Sequence, residues 1–342
     1  MRLPLSWLLA FTTAALALLL LGSLATGPMT LTLGESLRAL FAGQESGIES
    51  HKLLIVQEIR LPRTLLCIAV GGILGLCGAV MQGLFRNPLA DPGIIGVSGG
   101  AALGAALAIV LLAPLGQQLQ ATIGVGLLPL LAFLGGALTT TLVYLLGTRE
   151  GGTSVTVMLL AGVAITALSG AVIGLLTYLA DDQMLRNLSL WQMGTLAAGK
   201  PADVALALLT LAALLWLFMR DANPLNALLL GEGEARHLGI NVQSLKRRLI
   251  LLTAAGVGVA VAVSGMIGFV GLVVPHLVRL LAGPNHVRLL PLSALLGAAL
   301  LLAADMLART LLAPAELPVG IITALLGAPF FIWLLVKGRR AL

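Results

Sequence analysis

Long apolar runs separated by short polar segments dominate the pattern of this chain. A run of about 20 apolar residues matches the thickness of a bilayer crossed by one α-helix. The pattern predicts spans at 5–25, 61–84, 94–112, 123–146, 155–179, 204–219, 289–307 and 319–336. Polar segments lie at 27–58, 181–203 and 220–248. The chain is therefore predicted to be an all-α integral membrane protein.

The first run also allows a different interpretation, because Ser23-Leu24-Ala25 is compatible with the cleavage site of a signal peptide. The run is longer than the apolar core of a signal peptide, which has about 7–15 residues. A retained first helix is therefore favoured.

The apolar run 249–281 decides the topology, since it is too long for one span and barely long enough for two. Cytoplasmic loops carry an excess of Lys and Arg. With two spans in this run, most of the 20 basic residues, including Lys246, Arg247 and Arg248, fall on the side of both termini. We expect one domain over 1–342 with ten transmembrane helices and with both termini in the cytoplasm.

The composition favours a membrane protein over other classes. The 342 residues are 59% hydrophobic and 10% charged, with a mean hydropathy of +1.06. The net charge of +6 comes from dispersed basic residues with only 4% aromatics, so it is interpreted through topology rather than as a nucleic-acid site. No metal-ligand spacing is visible, and Cys67 and Cys77 are predicted to be ordinary buried thiols.

The densest polar interruption lies between the second and third predicted spans, at 86–101. Pro88 and Pro92 remove backbone donors and push Asn87 and Asp91 out of helical geometry. Irregular backbone at a membrane boundary persists where it is buried in protein or lines a water-filled path. We therefore expect this stretch to lie beside a pathway.

Two motifs in the chain suggest an enzyme. Gly96-Val97-Ser98-Gly99-Gly100 matches the pattern of a serine nucleophile, and with His276 as base it would make an intramembrane protease. That motif needs a preceding strand, so small-residue packing beside a pathway, with Ser98 as a candidate path residue, is favoured. The stretch 194–200 matches a phosphate-binding loop except for Pro201 in the last position. We expect no catalysis by this chain, and ATP hydrolysis with Mg²⁺ by a partner.

Charged residues inside the predicted spans are few. Asp305 and Arg309 lie four apart, as in a helical ion pair, and the other span centres lack acidic residues. This argues against the remaining alternative, an ion-coupled secondary transporter, which needs intramembrane carboxylates or unwound ion sites. Arg60 and Arg63 are predicted at the outer mouth of the second span, on one face toward water. With Arg309 they could form a basic rim for acidic residues of a docking protein.

The segment 231–241 is polar and contains a short helix-forming stretch between two glycines. It is predicted to form either a solvated loop or a short surface helix that inserts into a groove on a partner.

Several motifs, in this order, resemble the permease subunit of type II ABC importers for iron-siderophore complexes, haem and vitamin B12. They are Arg60-Leu61-Pro62-Arg63, the 87–93 run ending in Gly96–Gly100, Gly231 to Gly239, 268–272 with Pro275-His276, and Ala315-Glu316-Leu317-Pro318. The resemblance implies a homodimer, or a pair with a close homologue, in the bacterial inner membrane. Two ATP-binding cassette subunits and a periplasmic substrate-binding protein would complete the importer.

The resemblance also implies roles for individual residues. Arg60, Arg63 and Arg309 would engage carboxylates of the binding protein. Cytoplasmic gates would be formed by Asn87, Leu89, Ser154, Val155 and Thr156. Coupling to the ATPase would involve Glu232, Glu234, Ala235, Arg236, His237, Leu238 and Gly239.

The cargo stays open between an iron-siderophore complex and haem, with cobalamin as a third alternative. Asp181-Asp182 with Leu185-Arg186, before Trp191, looks somewhat like haem importers. Arg186 could then meet a haem propionate in the substrate path.

Overall fold

The computed structural model describes residues 4–41, 49–113, 126–149, 152–197 and 199–338. Within these ranges, ten apolar helices form the bundle: α1 (Leu5–Ala25), α4 (Leu61–Leu84), α5 (Val97–Val110), α6 (Leu127–Gly147), α7 (Val155–Leu179), α9 (Pro201–Arg220), α12 (Val242–Ser264), α13 (Val270–Ala282), α14 (His286–Thr310) and α15 (Val319–Gly338). Short helices connect them: α2 (Leu33–Phe41), α3 (Ser50–Leu54), α8 (Asp182–Gln192), α10 (Ala222–Leu230) and α11 (Glu232–His237).

Seven of the described helices are long and apolar enough to cross a membrane, and three shorter apolar helices complete the set. The prediction of an all-α protein with about ten spans is confirmed. The predicted start of the fourth span at residue 123 lies outside the described residues, as do the basic residues at positions 2, 339 and 340.

Helix α4 forms the centre of the bundle, because α9, α12, α13 and α14 all pack on it. Glycines on α4 allow close approach of the neighbouring backbones. A Cβ on Gly78 would lie 1.9 Å from the carbonyl oxygen of Gly271 on α13, and one on Gly71 would lie 2.4 Å from that of Gly297 on α14. These helices can therefore pack at this distance only with glycine at the crossings.

The segment 27–58, predicted as a polar loop, contains α2 and α3 instead. Helix α3 continues through a π-helical turn, Ile55–Arg60, directly into α4. Pro62 is the second residue of α4, and the chain before it is already helical. Proline in a helix interior removes one backbone hydrogen bond, and the wider π-helical turn lies just before the place where that bond is lost.

The third span also differs from its prediction. Pro92–Ile95 forms a 3₁₀ turn, and Gly96 adopts φ 84°, so α5 starts only at Val97. The run 249–281 does contain two helices, but they are unequal. Helix α12 begins at Val242 and takes in the basic cluster 246–248, whereas α13 spans only Val270–Ala282. The break is at Gly265, whose φ of 69° is left-handed.

Two ends of the bundle carry the polar groups. The arginine end is defined by Ser23, Arg60, Arg63 and Arg309. The hairpin end holds α10, α11 and a hairpin in which β1 (Thr148–Arg149) pairs antiparallel with β2 (Gly152–Thr153). The two ends contain most of the predicted site residues.

Candidate functional site

Arg60, Arg63 and Arg309 come together at the arginine end, but they do not face water. They are only 3%, 6% and 2% exposed. The prediction of an exposed basic rim is therefore wrong as to position. Arg60 ends the π-helical turn and Arg63 lies three positions later on α4, so the two share one side of the continuous helix, but that side is covered by α1, α14 and the segment before α15.

Asp305, fully buried on α14, lies between two of these arginines. Arg63 donates from Nε to Asp305 Oδ1 at 2.9 Å, and its Nη1 donates to Glu316 Oε2 at 2.7 Å. Arg309 Nε lies 3.0 Å from Asp305 Oδ2, which confirms the predicted i,i+4 ion pair. Two buried cations thus share one buried carboxylate, and Glu316 supplies a second at the surface.

Arg60 has no carboxylate partner among the contacts that the structure describes. Its guanidinium donates to the carbonyl oxygens of Leu24 at 2.7 Å, Ala25 at 2.8 Å, and Met29. Arg309 donates to the nearby Ser23 hydroxyl at 2.8 Å and to the Ser23 carbonyl oxygen at 3.3 Å. Both arginines therefore cap the last carbonyls of α1, where a cation also interacts favourably with the helix dipole.

The break after α4 is built from well-defined turns. Arg86 is left-handed at φ 48°, its N–H donates to Gly83 O, and the N–H of Asn87 donates to Gln82 O at 3.1 Å. This is a Schellman ending with arginine where glycine is usual. The Asn87 Oδ1 accepts from the Leu89 N–H at 2.9 Å, and the Asp91 Oδ1 accepts from the Gly93 N–H at 2.7 Å.

Asn87 and Leu89 are exposed in this break, and Ser154 and Thr156 are exposed at the first turn of α7, with Val155 half-buried between them. The two groups lie on adjoining elements, because the 3₁₀ turn packs on α7. A Cβ on Gly162 would lie 2.0 Å from the carbonyl oxygen of Ile94. The structure thus places both predicted gate segments on elements that adjoin near the hairpin end.

The predicted surface helix exists as α11. Glu234, Arg236, His237 and Leu238 are exposed, whereas Ala235 is fully buried. Ala235 therefore anchors α11 to the rest of the protein and is not part of its outer surface. This differs from the prediction, which included Ala235 among the residues that contact the ATPase. Gly239, left-handed at φ 80°, ends the helix.

Lys246 is a residue that the sequence analysis did not identify as part of the site. It is 2% exposed, and its Nζ donates to Glu232 Oε1 at 2.6 Å and to Thr153 O at 3.0 Å. The basic cluster 246–248 was interpreted through topology alone. The helical spacing could have indicated that Lys246 is buried, because Lys246 shares the helix face of the buried Val242 and Leu249.

The alternative serine protease finds no support in the geometry. Ser98 lies in the first turn of α5, after a 3₁₀ turn and not after a strand. Within the described ranges no hydrogen bond joins Ser98 to His276, whose ring instead meets Phe330 at 6.3 Å between centroids. The stretch 194–200 follows helix α8, and the Lys200 N–H bonds Asp203 Oδ2 at 3.3 Å.

Arg186 is exposed on α8. Asp181 caps that helix by accepting from the Met184 N–H at 2.8 Å. Helix α8 packs on α5, and Gly194, just beyond it, meets the segment between α12 and α13. Arg186 therefore lies on the connection between α7 and α9, which packs on α5 and on the segment between α12 and α13.

A family described as the FecCD transport family matches residues 15–337. The hemin transport system permease protein HmuU of Yersinia pestis is 47% identical over 336 residues, which cover 97% of this chain and 96% of that protein. The vitamin B12 import system permease protein BtuC of Vibrio cholerae is 43% identical over 285 residues, 83% of each chain.

One solved structure covers 97% of this chain and 99% of its own, with 33% sequence identity and a TM-score of 0.82. It is described as an inward-facing conformation of a transporter assigned to the metal-chelate type of ABC transporters. PsaBC from Streptococcus pneumoniae shares the fold, with 19% identity, a TM-score of 0.57, and coverage of 82% of this chain and 91% of that one.

Proposed function

Because the chain belongs to the FecCD transport family and is thus the permease subunit of an ABC importer, we propose that its cargo is an iron chelate, with haem as the first candidate. The observation that carries this proposal is the 47% identity to a hemin permease over 97% of the chain. Arg186, exposed on α8, could pair with a propionate of the ligand.

Cobalamin is the second candidate, because vitamin B12 permeases are 43% identical over most of the chain. Haem, iron-siderophore complexes and cobalamin are all bulky ligands that are already assembled before transport. A permease that lets such a ligand pass needs few charges along the path, since tight binding would oppose release. Direction would then come from gates driven by the ATP cycle of a partner, in a two-state rigid-body change.

The working unit in this proposal has two copies of the chain, two ATP-binding cassette subunits, and a substrate-binding protein in the periplasm. Helix α7 has large exposed side chains, with Leu160, Val163 and Tyr178 at 67%, 66% and 86%, and this surface is available to lipid or to the second copy. Helix α11, with its exposed charged residues, would receive the ATPase. The hairpin end and both termini would then face the cytoplasm, with the assembly in the bacterial inner membrane.

The arginines of the arginine end are buried, so the binding protein would not dock there by direct contact with exposed arginine side chains. Arg63 is held by Asp305 and Glu316, and only Glu316 is at the surface. A carboxylate of the binding protein would replace Glu316 as the partner of Arg63. Arg60 and Arg309 would keep the end of α1 in place beneath the docking surface.

The experiment that tests the cargo uses the complete importer in proteoliposomes. ATPase activity and uptake are measured with binding proteins loaded with haem, with a ferric siderophore or with cobalamin. The proposal expects haem to give the largest stimulation together with uptake. Stimulation by cobalamin alone would overturn it and leave the importer assignment intact.

A further inference from the structure

Lys246 is the one lysine among the largest fully buried side chains of the described residues. Taking an ammonium group out of water costs several kcal/mol unless charged and polar partners compensate. Its carboxylate partner is Glu232, the first residue of α11, whose side chain is 32% exposed. Its second partner is the carbonyl oxygen of Thr153, the last residue of β2. The charge thus joins two segments that are far apart in the chain.

The hairpin held by Lys246 leads directly into α7. The N–H of Thr153 donates to Gln243 Oε1 at 3.0 Å, so two residues on one face of α12 grip both backbone groups of Thr153. A Cβ on Gly152 would lie 2.3 Å from Gln243 Nε2, which leaves no space between the hairpin and α12. Ser154 follows at once as the N-cap of α7. A shift of the hairpin would therefore move the first turn of α7.

Helix α11, the other segment bonded to Lys246, is also held in place by its own contacts. Ala235 is fully buried, and Gly239 closes the helix with two backbone bonds, from Gly239 N to Arg236 O and from Ile240 N to Ala235 O. A six-residue helix closed at its end moves as a unit. Its Glu232 is the residue that touches Lys246.

We propose that Lys246 is a positioning residue that transmits displacement of α11 to the hairpin 148–153 and so to the start of α7. The inference rests on the proposed function, in which α11 meets the ATPase and residues 154–156 form a gate. It adds the physical link between them: one buried ammonium group bonded at the same time to both moving segments. Breaking this link separates ATP hydrolysis from gate opening.

A neighbouring ion pair of α12 provides a matched control. Arg248 Nε donates to Asp221 Oδ2 at 2.8 Å, and Asp221 is 5% exposed. This pair ties α12 to the junction of α9 and α10, and among the contacts of the described residues it involves neither α11 nor the hairpin. Arg248→Met therefore removes an ion pair from the same helix without breaking the proposed link, and the Arg248 side chain is 48% exposed where that of Lys246 is 2% exposed.

The test compares Lys246→Met, Lys246→Arg and Arg248→Met in the complete importer in proteoliposomes. The measured quantity is cargo transported per ATP hydrolysed, with subunit stoichiometry and thermal midpoint as checks on assembly and folding. Mutations that interrupt a coupling path change the coupling by about 2- to 30-fold, and we expect a loss of that size in Lys246→Met. Lys246→Arg restores part of it, because the guanidinium can reach both Glu232 and the Thr153 carbonyl.

Spin labels at His237 and Thr156 give a second measurement. In the wild type the two labels should move together through the ATP cycle, so the distance between them should stay nearly constant. In Lys246→Met the label on α11 should move without the label on α7, so the distance should change. Equal losses of transport per ATP in Lys246→Met and Arg248→Met would overturn the inference, as would unchanged coupled motion in Lys246→Met. An absence of ATP-driven uptake in the wild type would instead contradict the proposed function itself.

Discussion

Arg63 and Asp305, 242 positions apart in the chain, form a buried ion pair with Arg63 Nη2 at 2.8 Å from Asp305 Oδ1. Asp305 is fully buried and also pairs with Arg309. This pair ties the central helix α4 to α14 at the arginine end. It makes the arginines part of the scaffold as well as candidates for docking.

Replacing Asp305 by Asn should strongly destabilise the protein. Removing one partner of a buried ion pair leaves uncompensated charge and costs about 3–5 kcal/mol, and here two arginines lose their shared carboxylate. The thermal midpoint in detergent measures the effect. Glu316→Gln is the control, with an expected loss of about 1 kcal/mol at most, because Glu316 lies at the surface. Equal losses of stability in Asp305→Asn and Glu316→Gln would contradict the conclusion that Asp305 is the main carboxylate partner of these arginines.

Ser98→Ala should retain transport. The Ser98 side chain lies in the first turn of α5 and is not bonded to His276 in the described structure, so removal of its hydroxyl deletes no catalytic pair. Uptake in proteoliposomes measures this, with His276→Ala as the parallel variant. Loss of all activity in a well-folded Ser98→Ala protein would revive the serine protease hypothesis.

Glu234→Arg should uncouple ATP hydrolysis from uptake. Glu234 is exposed in the first turn of α11, where a carboxylate interacts favourably with the helix N-terminus and a cation does not. The variant reverses the charge of the surface that is proposed to meet the ATPase. Transport per ATP is the readout, and Glu234→Gln, which removes the charge without reversing it, should show a smaller loss. Normal coupling in Glu234→Arg would remove Glu234 from the interface.

Arg186→Ala should lower haem uptake and leave cobalamin uptake, if any is detected, unchanged. The exposed guanidinium can pair with a propionate carboxylate, and cobalamin offers no such free carboxylate for it to bind. Lys200→Ala, which also removes an exposed cation beside this connection, serves as the control. Unchanged haem uptake in Arg186→Ala would count against the proposed role of this residue.

Glu35 should make the stability of the connection between α1 and α4 dependent on pH. Hydrogen bonds from the Lys52 ammonium and from Thr32 lower the pKa of Glu35 from 4.5 to about 2. Since the folded pKa lies below the unfolded one, its contribution is complete above pH 4.5 and is lost as the pH falls toward about 2. The difference in thermal midpoint between the wild type and Glu35→Gln, measured from pH 6 down to pH 2, should shrink with acidification. A constant difference would contradict the assignment.

The sequence by itself determined the membrane character and the approximate number of membrane-spanning helices. Length and apolar content of most runs suffice for this, because a bilayer demands about 20 apolar residues for each helical crossing. The distribution of basic residues decided that the run 249–281 holds two spans. The break at 86–101 was likewise visible, since Pro88 and Pro92 act on their own backbone. The short helix between Gly231 and Gly239 was one of the two alternatives that its residues allowed, and the structure has the helix.

The tertiary structure alone decided which charges are buried and what they bind. Arg60 and Arg63 were correctly placed on one face of the helix, but only the packing of α1 and α14 shows that this face is covered. Lys246 was counted as a loop charge, and its partners Glu232 and Thr153 belong to segments 14 and 93 positions away. Burial and ion pairing depend on contacts between distant segments, and a pattern along one chain specifies neighbours in sequence, not neighbours in space.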